Sequence, residues 1–470
     1  MRNVCEGSDR SVSYDYSVKK AKRLGLSLML CGALIHPPTH AIATEKFDWK
    51  IKKEETRRST AGYSDSMSYV AGASIKFKIS CPATDFYLEA IRVGYYEEGQ
   101  GKRIFTSKKT RCLDQSKRDS RYWKANLEMN TSSFPHGMYH FVIRDSDKYS
   151  SYIPIILREK VAKAKAVFSV PTMTMQAYNS WTGADTYGGP DGFESRLRVV
   201  DFRKPFDEGN GAGKYLRYVH PLIVYIEELG LDVSYVADTD LHFDKKILSN
   251  KQVLITAGHD EYWTMQERET VIQARKRGLN TVFFGANAGY WNTRLLRSNP
   301  DSHVVMEIYK SAEEDPNKEN PTIKFRDLGK PEPELTGLEY KCFPARGNLE
   351  LKQPQSFVFQ GVTDFENLDL EGLVGPEVDS LLSNSSTLGT VINLAEARVR
   401  CGTKWYAPRF GQMNMILVTS DGSAGGNFST GTMGWVTKGL SASEKSDIGG
   451  FTRVVSKNVL EKALQGPLRK

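Results

Sequence analysis

Apolar and polar residues alternate with a period of two over 73–79, as a strand with one face in a core and the other in water requires. The same pattern runs through 86–93, 138–144 and 152–157, and Glu98-Gly99-Gln100-Gly101 supplies a turn. Residues 44–160 therefore read as an all-β, sandwich-like domain suited to packing or binding. From residue 166 the rhythm changes. The runs 166–174, 231–237, 252–257 and 281–284 are almost continuously apolar, the mark of strands buried on both faces. Between them, 221–229 has helical spacing and stops at Gly230, and Thr264-Met265-Gln266-Glu267 is a capping box opening a helix to Arg277. Strands alternating with helices predict an α/β domain over 161–470, a parallel sheet covered on both faces. Ligands of such sheets sit outside the carboxyl ends of the strands. Beyond Pro300 the pattern loosens. The charged, Pro-rich 311–345 reads as a surface excursion, strand-like runs return at 389–392 and 413–418, and an amphipathic helix closes the chain near 452–463.

The first 43 residues carry a different signal. Lys19, Lys20, Lys22 and Arg23 precede an apolar run over 24–35, and Ala41-Ile42-Ala43 follows. That is the order of a secretory signal peptide, and the run is shorter than the roughly 20 residues a bilayer span needs. Residues 1–43 read as a signal peptide cleaved after Ala43, and the mature chain as periplasmic or secreted without a membrane span. Of the 470 residues, 64 are Lys or Arg and 56 Asp or Glu, a net +8; without the leader 58 and 53 remain, a net +5. No dense basic stripe interleaved with aromatics is left, which argues against nucleic acid as a partner. At 40% hydrophobic and 26% charged, the chain is neither disordered nor polytopic. Cys5 and Cys31 go with the leader. Cys81, Cys112, Cys342 and Cys401 stay, an even number that suggests up to two disulfides in an oxidising compartment, most simply Cys81–Cys112 and Cys342–Cys401. Buried free thiols are the alternative reading.

Three strand ends carry chemistry-bearing residues. The first leads into Gln176-Ala177-Tyr178-Asn179-Ser180-Trp181, with Tyr187 nine residues past Tyr178. The third leads into Gly258-His259-Asp260-Glu261-Tyr262-Trp263, and the fourth into Gly285-Ala286-Asn287-Ala288-Gly289-Tyr290-Trp291. Any one cluster is weak evidence, since aromatics at loop starts often only pack; three on one rim point to a site. A G-x-S-x-G elbow, an HExxH helix, CxxC pairs and a strand-end cysteine are all missing, which argues against serine and cysteine hydrolases and against zinc. Gly209-Asn210-Gly211-Ala212-Gly213-Lys214 lacks the Walker spacing and reads as a flexible loop. What remains is oxygen donors with one imidazole. Carboxylate and phenolate suit a hard ion such as Fe(III), which polarises a carbonyl and acidifies water without a protein nucleophile.

The stretch Ile255-Thr256-Ala257-Gly258-His259-Asp260-Glu261-Tyr262-Trp263, with Phe283-Phe284-Gly285-Ala286-Asn287 and Tyr290-Trp291, resembles the large (β) subunit family of N,N-dimethylformamidase. Ala177-Tyr178-Asn179-Ser180-Trp181, Asp201-Phe202-Arg203-Lys204-Pro205, Gly375-Pro376-Glu377-Val378-Asp379 and Arg92-Val93-Gly94-Tyr95-Tyr96 support it, so the resemblance covers nearly all of 70–465. It implies a glutamine-amidotransferase-like α/β domain holding one mononuclear Fe(III) through two tyrosines and a glutamate. Carried over by position, Glu261 is the carboxylate ligand and Tyr178 and Tyr187 the phenolates. By proximity, His259 orients water or passes protons, Asn287 donates to the substrate carbonyl, and Glu377 is a second carboxylate for proton transfer. Tyr262, Trp263, Tyr290 and Trp291 wall the pocket or pack the core. Gly-Pro-Glu-Val-Asp departs from relatives, which more often have an aromatic beside the glutamate. The family's amidase also works with a small subunit, so a small partner subunit or a homo-oligomer belongs to this expectation.

Two functions follow. One is an exported, iron-dependent hydrolase of a C–N amide bond in a small or cell-envelope substrate. The other is a non-catalytic surface protein that binds carbohydrate or envelope polymer. The four residues Tyr178, Tyr187, Glu261 and His259 favour the enzyme.

Overall fold

The alternation over 73–79 becomes the strand Ser74–Ser80, with Ile75, Phe77 and Ile79 fully buried while Ser74 and Lys76 face water. A computed structural model describes residues 48–97, 99–297, 303–365, 367–382, 389–403, 409–420 and 422–469. The signal peptide read over 1–43, with Cys5 and Cys31, lies outside them.

Ser74–Ser80 is the middle of a three-stranded sheet with Ala61–Ser64 and Leu127–Asn130. Opposite it, Ser68–Val70, Ser150–Arg158, Gly137–Asp145, Asp85–Tyr96 and Gly99–Thr106 lie side by side in that order, with Thr110–Arg111 alongside Asp85–Tyr96. Alternate residues of both sheets meet in one core in which the Phe77 and Phe141 rings lie 4.9 Å apart, and the Cys81–Cys112 disulfide borders it. The other face of the larger sheet buries Val93, Met138 and Ile156 against Leu222 and Ile223 of the helix His220–Glu228. There Arg92 clamps Glu227 with two bonds of 2.8 and 3.1 Å and donates to the His136 carbonyl, so the Arg92-to-Tyr96 motif fixes that helix. Arginine suits the position because its planar fork matches a carboxylate.

The four apolar runs form adjacent parallel strands in the order Val233–Ala237, Ala166–Val170, Val253–His259, Asn280–Ala286, and Asn427–Ser429 joins parallel to the last. Arg409–Thr419, Thr390–Cys401 and Ala345–Arg346 extend this nine-stranded sheet antiparallel, with Glu350–Leu351 pairing alongside. The capping box is made: Thr264 Oγ1 accepts from the Glu267 N–H and Glu267 Oε2 from the Thr264 N–H, starting the helix Met265–Lys276.

The expected fold class, a glutamine-amidotransferase-like α/β parallel sheet, is corrected by what lies around these strands. The described chain is mostly β, with 24 strands in five sheets. Of its seven α-helices only Met265–Lys276 and Asp447–Gln465 exceed nine residues. A doubly wound α/β fold needs a helical crossover of a dozen or so residues between successive parallel strands. Here the Asn280–Ala286 to Asn427–Ser429 crossover is mainly strands and turns, and Ala237 to Val253 carries only the six-residue helix Asp238–Phe243. Continuous apolar runs reported burial on both faces, but they are silent on what covers them. The run 166–174 also breaks early: the strand ends at Val170, and Pro171 leads into the helix Thr172–Ala177.

One further difference and one agreement bear on the site. Gly209–Gly211 is a packed 3₁₀ turn rather than a free loop; a Cβ on Gly211 would lie 2.5 Å from the Tyr152 carbonyl. Cys342–Cys401 forms alongside Cys81–Cys112, so both of the simplest pairings are made. No helix among the described residues is long and apolar enough to cross a membrane.

Candidate active site

Three neighbouring parallel strands end on one edge of the large sheet, and each delivers part of a single cluster. After Val253–His259 the chain turns at Asp260 and Glu261, and Thr174 Oγ1 accepts the backbone N–H groups of Glu261 and Tyr262 at 3.0 and 3.2 Å. The helix Thr172–Ala177 that holds Thr174 also presents Tyr178 at its end. The loop beyond returns at Thr186, whose N–H bonds the Ala177 carbonyl at 3.0 Å. Asp185 then accepts the N–H groups of Tyr187 and Gly188, an Asx turn that points the Tyr187 ring at Glu261.

The Glu261 carboxylate is buried and saturated. Tyr178 Oη donates to Oε2 at 2.7 Å, Tyr187 Oη donates to Oε1, and Trp291 Nε1 donates to Oε1 at 3.0 Å. His259 Nε2 lies 3.2 Å from Glu261 Oε2 and 3.5 Å from Glu377 Oε2. Asn287 Nδ2 donates to Glu377 Oε2 at 2.9 Å, and both Asp379 oxygens accept the Asn287 backbone N–H at 2.9 and 3.1 Å. Asn287 sits at φ 60°, a left-handed conformation that asparagine tolerates better than most residues. All six residues expected from the sequence, His259, Asn287, Glu377, Tyr178, Tyr187 and Glu261, line one cavity of about 520 Å³.

Burial sets the charges. It raises the Tyr178 and Tyr187 phenols well above their ordinary range, with the Glu261 charge adding to it, so both are neutral donors here. Burial would also raise Glu261, but the His259 imidazole, Lys310 and the Tyr187 hydroxyl outweigh it and hold the carboxyl below its usual value. Glu377 is raised, by burial first and by Glu261, against the pull of His259. The two carboxyl groups are thus shifted in opposite directions, Glu261 toward its charged form and Glu377 toward its protonated one.

Two side chains that local patterns did not single out complete the cluster. Lys310 follows the strand Val304–Glu307 at φ 60°, sets its ammonium 3.1 Å from the Tyr187 ring centroid and donates to Tyr262 Oη at 2.8 Å. Burial lowers it to about 7, opposed by Glu261 and Asp185. Asp379 is the other. Trp291 has a larger part than a wall: pairing of Tyr262–Thr264 with Trp291–Arg297 puts its indole N–H on Glu261. Tyr290 and Trp291 line the cavity, whereas Trp263 is fully buried in the core behind it.

Burial raises Asp379 to about 8 against the stabilising Asn287 N–H. The folded carboxyl therefore holds its proton more tightly than the unfolded one, near 3.9. Its stabilisation is complete below about pH 4 and is lost as pH rises through about 8. Asp379→Asn, which keeps the acceptor and never ionises, should gain in thermal midpoint relative to the parent as pH goes from 4 to 9. Parallel melting-versus-pH curves would show that Asp379 carries no such proton.

No group of three or more His, Cys, Asp and Glu side chains among the described residues is placed to hold a metal ion. A metal held at this cavity would draw on the phenols as well. The donor chemistry fits one: two phenolic oxygens and a carboxylate meet within hydrogen-bonding distance at the cavity floor, a hard oxygen set suited to Fe(III).

Residues 87–446 match the family described as N,N-dimethylformamidase beta subunit-like, C-terminal. No curated protein matches the chain. Among solved structures, a cycloisomaltooligosaccharide glucanotransferase from Paenibacillus sp., in complex with cycloisomaltoheptaose, aligns at 7% identity over 53% of this chain and 33% of that one, with a TM-score of 0.16. The chain spans about a third of that enzyme's length, and a superposition so loose carries no argument.

Proposed function

The chain belongs to the N,N-dimethylformamidase beta subunit-like family, and from that premise we propose that it is an exported, iron-dependent hydrolase of amide C–N bonds. The observation that carries this reading is the convergence of the Tyr178 and Tyr187 hydroxyls on the buried Glu261 carboxylate, beside an imidazole and a second carboxylate. Tyr178, Tyr187 and Glu261 would hold one Fe(III), which when bound supplies a Lewis acid for the amide carbonyl and lowers the pKa of water.

The chain's own groups do the rest. Against its burial, Glu377 and Glu261 raise the His259 imidazole, and in its neutral form it takes a proton from the attacking water as the water oxygen bonds to the carbonyl carbon. Asn287 has one amide N–H on Glu377 and a second for the carbonyl oxygen, where negative charge develops. Glu377, whose raised pKa favours its protonated form, delivers a proton to the leaving nitrogen as the C–N bond breaks. The products are a carboxylic acid and an amine. The two disulfides fit an oxidising compartment, which supports export to the periplasm or beyond. The family is named for one subunit, so a small companion chain or a second copy belongs to the same reading.

The test is reconstitution of the purified protein with Fe(III). Stoichiometric iron, a broad visible band from phenolate-to-iron charge transfer, and hydrolysis of dimethylformamide or another amide are expected. A folded preparation that stays colourless and metal-free after reconstitution would sink the proposal.

A further inference from the structure

Above the convergent oxygens the cavity is walled by rings. Tyr218, Tyr290, Trp291 and Tyr340 line it, and Phe343 stands at its edge with 59% of its surface exposed. The rings brace one another: Tyr290 meets Tyr340 edge-on at 5.2 Å and Trp291 at 5.1 Å. Tyr340 lies on the strand Glu339–Cys342, which pairs with Val378–Ser380 next to Glu377. The Cys342–Cys401 disulfide pins the end of that strand, just before Phe343, to the large sheet. The wall is therefore built into the scaffold that also positions the catalytic carboxylate.

Its charged neighbours are already committed. Asp185 accepts two backbone N–H groups, and Lys214 pairs with Glu208 at 3.3 Å while its ammonium lies 4.8 Å from the Tyr178 ring centroid. Among the described lining residues Asn287 is the only carboxamide, and it serves Glu377. Recognition of a charged substituent requires an unpaired opposite charge, which this wall does not offer; its own polar groups are the Tyr218, Tyr290 and Tyr340 hydroxyls at the rims of ring faces suited to a flat apolar group. A cavity of about 520 Å³ is also far larger than a dimethyl amide needs. It falls in the range of roughly 300–1,000 Å³ that encloses drug-sized ligands.

We propose that the substrates are uncharged amides carrying an aromatic or similarly flat apolar substituent, which packs against Tyr290, Tyr340 and Phe343. This rests on the amide-hydrolase reading. Tyr340 and Phe343 are then specificity-determining residues, setting KM through ring contacts.

The experiment compares the iron-loaded protein on dimethylformamide, N-methylformanilide and N-acetylglucosamine. N-methylformanilide should have the highest kcat/KM, by about tenfold or more over dimethylformamide, the worth of burying a ring. Phe343 is exposed, so Phe343→Ala should fold; it should raise KM for N-methylformanilide severalfold and affect dimethylformamide much less. A preference for dimethylformamide or N-acetylglucosamine, or an equal effect of Phe343→Ala on all three, overturns the aromatic-substrate proposal and leaves the hydrolase reading intact. No turnover of any amide by iron-loaded protein overturns the hydrolase reading. In that case quenching of intrinsic fluorescence by N-methylformanilide, absent with dimethylformamide, still reads the ring site, and equal or absent quenching by both rejects it.

Discussion

Glu261→Gln is expected to abolish iron uptake, the visible band and hydrolysis together, with kcat lower by about 10³-fold or more. One carboxylate accepts from Tyr178, Tyr187 and Trp291 and faces His259, so these four side chains are oriented by it. Glutamine keeps the volume but turns one acceptor into a donor, which meets a phenol or an indole N–H head-on. Removing a single donor from a preorganised site costs about 10²–10³ in kcat, and losing a metal ligand removes more. The fold should survive, since a buried carboxylate that no longer needs desolvation relieves a cost. Iron content, absorbance, circular dichroism and steady-state rates on one preparation check the prediction. A variant with full iron and full colour would show that the metal, if bound, lies elsewhere.

The second large effect is expected from a residue with no functional group. Gly285 and Gly258 face each other across the two central parallel strands, one position before Ala286 and His259. A Cβ on Gly285 would lie 2.2 Å from the Gly258 carbonyl oxygen, a contact only a shift of backbone can relieve. Gly258 cannot give way easily, because its φ of +65° is left-handed and a Cβ built on it would lie only 2.5 Å from the Tyr218 carbonyl oxygen, so backbone crowds it on that side too. Gly285→Ala should therefore splay the strand ends that carry His259 and Asn287. Overpacking of this kind costs about 1–3 kcal/mol. It should lower the thermal midpoint by a few degrees and weaken both iron binding and kcat. Retained stability with unchanged kinetics would mean the strand ends adapt freely.

Much of the site was legible along the chain because its parts are local. Gly258-His259-Asp260-Glu261-Tyr262-Trp263 follows an apolar run directly, so strand, turn and candidate carboxylate are read from consecutive residues. Tyr178 and Tyr187 were found the same way, at the end of another run. The capping box at Thr264 was an equally local inference, whereas the two disulfide pairings came from an even count of cysteines joined in the simplest order; the structure makes both. Lys310 had no such signal. It is an ordinary lysine after a short strand, and only the pairing of Val304–Glu307 with Trp291–Arg297 brings it under Tyr187.

The amino-acid order alone determined which segments are buried strands and which oxygen donors follow them, because burial and turn chemistry are written within a few residues; the strand after Ala166 still ends four residues earlier than its apolar run. The tertiary structure decided the fold class, since an apolar run specifies that it is covered and not whether helix or strand covers it. It also decided that Trp291 donates to Glu261, that Asp379 holds Asn287, and that Tyr340 and Phe343 border the same cavity. Those contacts join residues from about 30 to more than 100 positions apart along the chain, where no local period or spacing reaches.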